Sequence, residues 1–94
     1  MHHTRALALG HVRNATWHLL NPDTSPGVDG LLFGLECLDL EALLNPDDTE
    51  PALVSPEHGP AASLAAASRL LAAHLDAVPP AAWAALRALE MKLG

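Results

Sequence analysis

Ninety-four residues with five Lys and Arg against eleven Asp and Glu, a net charge of −6, describe one small acidic domain, close to the size at which core burial is marginal and pairing with a second copy is a common remedy. No Lys or Arg stands between Asn14 and Ser68, where nine carboxylates do, so the chain lacks the cationic surface that nucleic acid or an anionic membrane requires. Cys37 is the single cysteine, which excludes an intramolecular disulfide and a thiol-rich metal centre within one chain.

Half the residues are apolar, and 19 Leu and 18 Ala supply most of them, with no Ile or Tyr. Those are helix formers, and the β-branched and aromatic residues that favour strands are scarce. The expected architecture is all-α, a compact four-helix bundle occupying 1–94 as one domain. Stretch 1–10, MHHTRALALG, has no signal-peptide apolar core, and no apolar run approaches the roughly 18 residues needed to span a bilayer. A cytoplasmic protein is expected. The preference for Arg over Lys, with abundant Ala, Pro and Gly, suggests a GC-rich bacterial source.

The first predicted helix covers 4–20, with Ala8, Leu9, Val12, Ala15, Thr16, Leu19 and Leu20 on one arc and Thr4 as its N-cap. Trp17 falls just off that arc, either packed or offered to a partner. Asn21-Pro22 stops the helix, because a residue before proline is pushed out of the helical region. The same pentapeptide, LLNPD, recurs at 43–47. Its flanks differ and no third copy follows, so the pair reads as two helix stops of like chemistry rather than as a repeat.

The second helix is predicted over 27–44, with Ser25-Pro26 as N-cap and first-turn proline. It is apolar on two sides. Val28, Leu31, Leu32, Leu35, Leu38, Ala42 and Leu43 form the larger face; Phe33, Cys37, Leu40 and Leu44 form the smaller. Such a helix is central in its bundle or also meets another chain, which points to a homodimer. Gly30 and Gly34 weaken the helix, and the alternative is an α+β fold with a strand near 31–38. Residues 45–60, NPDDTEPALVSPEHGP, form a Pro-rich acidic loop whose middle Leu53 and Val54 are expected to pin. An Ala-rich helix over 60–78 and a last helix over 80–93 make an antiparallel hairpin, with Trp83, Leu86, Leu89 and Leu93 turned inward.

Asp39 falls within the larger apolar face and is the most informative polar residue, since a buried carboxylate needs a partner or a proton. It is either the N-cap of a shorter helix, DLEALL, or a general acid or base with a raised pKa, or a buried partner for His18, His74 or Arg5. His11, Asn14 and His18 share one side of the first helix. The two imidazoles are about 10.5 Å apart along its axis, too far for one metal without a long reach, so no metal and no cofactor are expected; His11 and His18 are the nearest candidates, with His3, Cys37 and His58 across a dimer as another set. Cys37 on an apolar face reads as inert packing. The serines lack a nucleophile elbow, the glycines match neither phosphate-binding fingerprint, and Asp23–Gly34 lacks the glutamate that closes a calcium loop.

Two functions compete. The favoured one is a small non-catalytic protein–protein interaction or regulatory module, a homodimer by the chain's size and its doubly apolar helix, with Trp17, Phe33, Leu40 and Leu44 facing a protein partner or a second copy. The other is a small enzyme or ligand-binding helical protein using Asp39 with His18 or His74 as the acid/base pair. A convergent pocket holding Asp39 and an imidazole would favour chemistry, and a flat exposed apolar patch would favour a partner.

Overall fold

In the computed structural model, which describes residues 2–21, 23, 27–46, 48–55 and 58–93, the chain folds into α1 (His2–Leu20), α2 (Val28–Leu44), α3 (Pro60–Ala72) and α4 (Pro80–Leu93), with a single 3₁₀ turn at Leu75–Ala77. No strand occurs among the described residues, so the helical architecture holds over the α+β alternative. α1 lies between α2 and α3, and α4 closes the bundle by touching α2 and α3.

Both LLNPD copies end a helix at the second leucine. The asparagine that follows turns its side chain to the backbone: Asn21 Oδ1 accepts from the Asp23 amide at 2.9 Å, and Asn45 Oδ1 accepts from the Thr49 amide at 2.6 Å. This local bonding competes with helix continuation and satisfies amides in the exiting chain. α1 begins at His2, so Thr4 lies inside the helix and is not its N-cap. Ser25 and Pro26 lie outside the described residues. The residue before α2 is Gly27, at φ 107° and ψ −156°, a region open in practice only to glycine. α3 stops at Ala72, six residues short of the predicted end. Val78 is extended at ψ 127° ahead of Pro79-Pro80, as a residue before proline must be, and the 3₁₀ turn takes up the slack.

The core draws one stripe from each helix: Ala8, Leu9, Val12, Ala15 and Leu19 of α1, Cys37, Leu40 and Leu44 of α2, Leu64, Ala67 and Leu71 of α3, and Ala82, Leu86 and Leu89 of α4. Leu9, Leu19, Leu40, Leu64, Leu71 and Leu86 are fully buried, each worth roughly 1.5–3 kcal/mol relative to exposure. α1 and α2 approach closely at Gly34, which is buried on the contacting side of α2. A methyl group at position 34 would meet Leu20 Cδ2 at 2.6 Å and Leu19 Cβ at 3.2 Å. Gly34, which weakens α2 as an isolated helix, is therefore what lets α1 seat against it, as small residues do wherever helix backbones come close.

The described residues 45–46, 48–55 and 58–59 run as a strap along α1. Arg5 Nη2 donates to Thr49 Oγ1 at 3.0 Å, the Ala52 amide donates to the Ala6 carbonyl at 2.9 Å, and Asn14 Nδ2 donates to the His58 carbonyl at 2.9 Å. Leu53 does not pin this segment as expected, being fully exposed at 101%. The anchor is the backbone of Ala52 against Gly10, with Val54 half-buried beside it.

Candidate functional site

Of the two apolar faces of α2, the smaller one faces inward. Cys37, Leu40 and Leu44 are buried and Phe33 is half-buried against the same core. Leu40 and Leu44 thus serve the bundle and are not offered to a partner. Phe33 lies beneath Lys92, whose Nζ stands 5.7 Å from the ring centroid and bonds Glu36 at 3.0 Å. The reason is steric: Gly30, Gly34 and Cys37 give that side of α2 a shallow surface into which α1 fits, whereas the larger face offers only bulky leucines.

The larger face is left in solvent. Val28, Leu31, Leu32, Leu35, Leu38 and Leu43 are 42–75% exposed, and Ala42 is exposed among them. They span roughly 140° of the helix surface at 3.6 residues per turn. Trp17, 52% exposed, extends this face. Arg13 of α1 reaches Glu41 and Leu20 lies against Gly34, so the two helices run antiparallel and Trp17, between those positions, sits at the Leu38 edge. Its ring meets His18 edge-on at 4.9 Å between centroids.

Six large apolar side chains of one helix, each 42–75% exposed, make a contiguous patch of the kind that marks an interaction site. Isolated exposed apolar residues such as Leu53 and Met91 are ordinary on any surface. Seven large ones in one continuous face are not.

Asp39 stands in the middle of this face, exposed. It is neither buried nor the N-cap of a shorter helix, because α2 continues through it from Val28 to Leu44. It lines an open groove between α2 and α4 with Glu36, Leu43, Ala88 and Lys92. The structure does not bring it to an imidazole: no hydrogen bond among the described residues joins it to His18, which packs on Trp17, or to His74, which precedes the 3₁₀ turn and donates its amide to the Leu71 carbonyl at 2.9 Å. No group of three or more His, Cys, Asp or Glu among the described residues is placed to hold a metal ion.

The polar residues that do converge form two structural clusters that the sequence reading did not find. Between α1 and α2, the Thr16 hydroxyl lies 2.9 Å from both the Val12 carbonyl and Glu41 Oε2, and Arg13 Nε donates to Glu41 Oε1 at 3.1 Å. Cys37 is buried beside them. Burial pushes its thiol up to about 11, with the Glu41 and Glu36 carboxylates adding to the rise and the Thr16 hydroxyl opposing it. A thiol held protonated is a packing group and a poor nucleophile. Between α1, α3 and the strap, buried Asn14 also donates to Ser63 Oγ at 2.8 Å. Nearby, the His11 and His58 rings meet edge-on at 6.1 Å. His11 Nδ1 is enclosed with no hydrogen-bond partner among the described residues, and burial, with His58 and Arg69 adding to it, lowers its pKa below 6.5.

Among the described residues no helix is long and apolar enough to cross a membrane. No protein family, curated protein or solved structure matches the chain.

Proposed function

We propose that this protein is a small non-catalytic interaction or regulatory module, working in the cytoplasm as a homodimer through the leucine face of α2 and Trp17. One observation carries the reading: six large apolar residues of α2 are 42–75% exposed while the four helices bury a shared core without them. Burying such a face against protein gains on the order of 25 cal/mol per Å² of apolar area before the losses of association are subtracted. A large exposed patch of this kind marks a binding surface.

Charge restricts the partners. Glu36 and Asp39 on α2 and Asp48 and Glu50 on the strap are exposed, so acidic proteins are repelled and a neutral or basic apolar surface is accepted. The reduced state of Cys37, buried and unpaired, suits a cytoplasmic setting.

The test is the mass in solution. Light scattering of the wild-type chain at micromolar concentration is expected to give a dimer, and Leu32→Glu with Leu35→Glu a folded monomer of unchanged helical content. A wild-type monomer across the micromolar range removes the homodimer.

A further inference from the structure

Resting on that homodimer, we infer that two α2 helices pair antiparallel across a two-fold axis through Leu35, and that Asp39 dictates this direction and keeps the pairing weak enough to reverse. The exposed positions on the face are 28, 31, 32, 35, 38, 39, 42 and 43; all but Leu43 pair with one another about 35, and Leu43 falls opposite the exposed Gly27. In an antiparallel pair centred there, residue i meets residue 70 − i of the second copy. Leu35 meets Leu35, Leu32 meets Leu38, and protruding Val28, 75% exposed, meets small Ala42. One face is then self-complementary, as an isologous interface must be.

The parallel alternative sets every residue against its own copy. Two Asp39 carboxylates would then face each other while losing water, and like charges in one desolvated site resist joint ionisation. The antiparallel register puts each Asp39 four residues from the axis, so the two lie ~12 Å apart along the helices at 1.5 Å per residue. That separation is near the ~10 Å screening length at 0.1 M salt. Each carboxylate also borders the open groove toward α4, whose lining includes Lys92, and can turn there to stay hydrated. It nevertheless stands next to Leu31 of the second copy, which penalises the contact.

Self-complementarity supports a second copy as the occupant. The exposed leucines at 32, 35 and 38 meet leucines of the same set across the axis, and an antiparallel two-fold brings like edges together. Trp17 of each chain then flanks the same edge and closes it. The two α4 edges, where Lys92 bonds Glu36, form the polar rim opposite.

Direction is read by cross-linking. Val28→Cys and Ala42→Cys proteins are mixed and treated with a short bis-maleimide, with Cys37 unreactive in its buried site, and the products are identified by mass. Mixed 28–42 dimers are expected. Products linking 28 to 28 and 42 to 42 overturn the antiparallel register while leaving the homodimer standing, and a wild-type monomer by sedimentation at tens of micromolar overturns both. Sedimentation of Asp39→Leu is expected to show at least tenfold tighter association, and unchanged or weaker association overturns the role given to Asp39. Leu35→Glu, at an exposed position that the fold does not use, is expected to weaken pairing at least a hundredfold with its circular dichroism unaltered; wild-type affinity in that variant overturns the axis.

Discussion

Gly10 of α1 lies directly against Ala52 of the strap: the Ala52 amide reaches the Ala6 carbonyl at 2.9 Å, and a side chain at position 10 would run into the Ala52 carbonyl oxygen. The glycine is an absence that another backbone fills. Gly10→Ala gains up to about 1 kcal/mol of helix propensity and meets about 1–3 kcal/mol of overpacking, relieved only by lifting the strap. The expected result is faster hydrogen exchange of the Ala52 amide with little change at core amides of α1 and α3. Unchanged protection at Ala52 would refute the close contact.

Asn14 ties three segments together through one amide nitrogen, bonding the His58 carbonyl and Ser63 Oγ. Asn14→Ala strips partners from a buried hydroxyl and a strap carbonyl, which is expected to destabilise the fold by about 1–3 kcal/mol in urea unfolding. Adding Ser63→Ala removes the orphaned hydroxyl, so the double variant should lose less than the sum of the singles. Strict additivity would show that the bond contributes nothing.

Acid should loosen the region around His11. Its folded pKa is lowered, first by burial and then by His58 and Arg69, so the unfolded chain takes up a proton near pH 6.5 while the folded chain resists it. The stabilisation is complete above about 6.5 and declines as pH falls through that value toward the folded pKa. The thermal midpoint of the wild type should therefore drop between neutral pH and about pH 5.5 by more than that of His11→Leu, which has no proton to take up. Equal drops would assign the acid response elsewhere.

Cys37 should report global opening. With its thiol raised to about 11 and its surface fully buried, alkylation at mildly alkaline pH is expected to be slow and to accelerate in parallel with unfolding as urea is added. Rapid labelling without denaturant would contradict its place in the core.

Much of this architecture was legible before any coordinates. The leucine stripes, the Asn-Pro stops and the proline pair before α4 mark element ends through local rules, and α1 buries the arc of Ala8, Leu9, Val12, Ala15, Thr16 and Leu19 that its spacing marks. The orientation of α2 was not legible, because hydrophobicity ranks its two faces the wrong way. Size decided between them: Gly30 and Gly34 share a side with Cys37 and Leu44, and close approach outweighed greasiness. With the larger face outward, Asp39 stands in solvent and is not the buried acid that such a ranking implies. The strap was misread for another reason. A main-chain contact between Ala52 and Gly10 leaves no mark in side-chain pattern, whereas Leu53 beside it leaves a false one.

The central position of α1 also sets an order of events at the ribosome. Its partners on α2 are complete at residue 44, but α3, which covers its other side, ends at residue 72. At ~5–20 residues per second of elongation, that half of the first helix waits a few seconds for its cover. A nascent α1–α2 hairpin therefore shows two greasy flanks at once, the one α3 later hides and the one α2 keeps, and chaperone capture should peak in that interval.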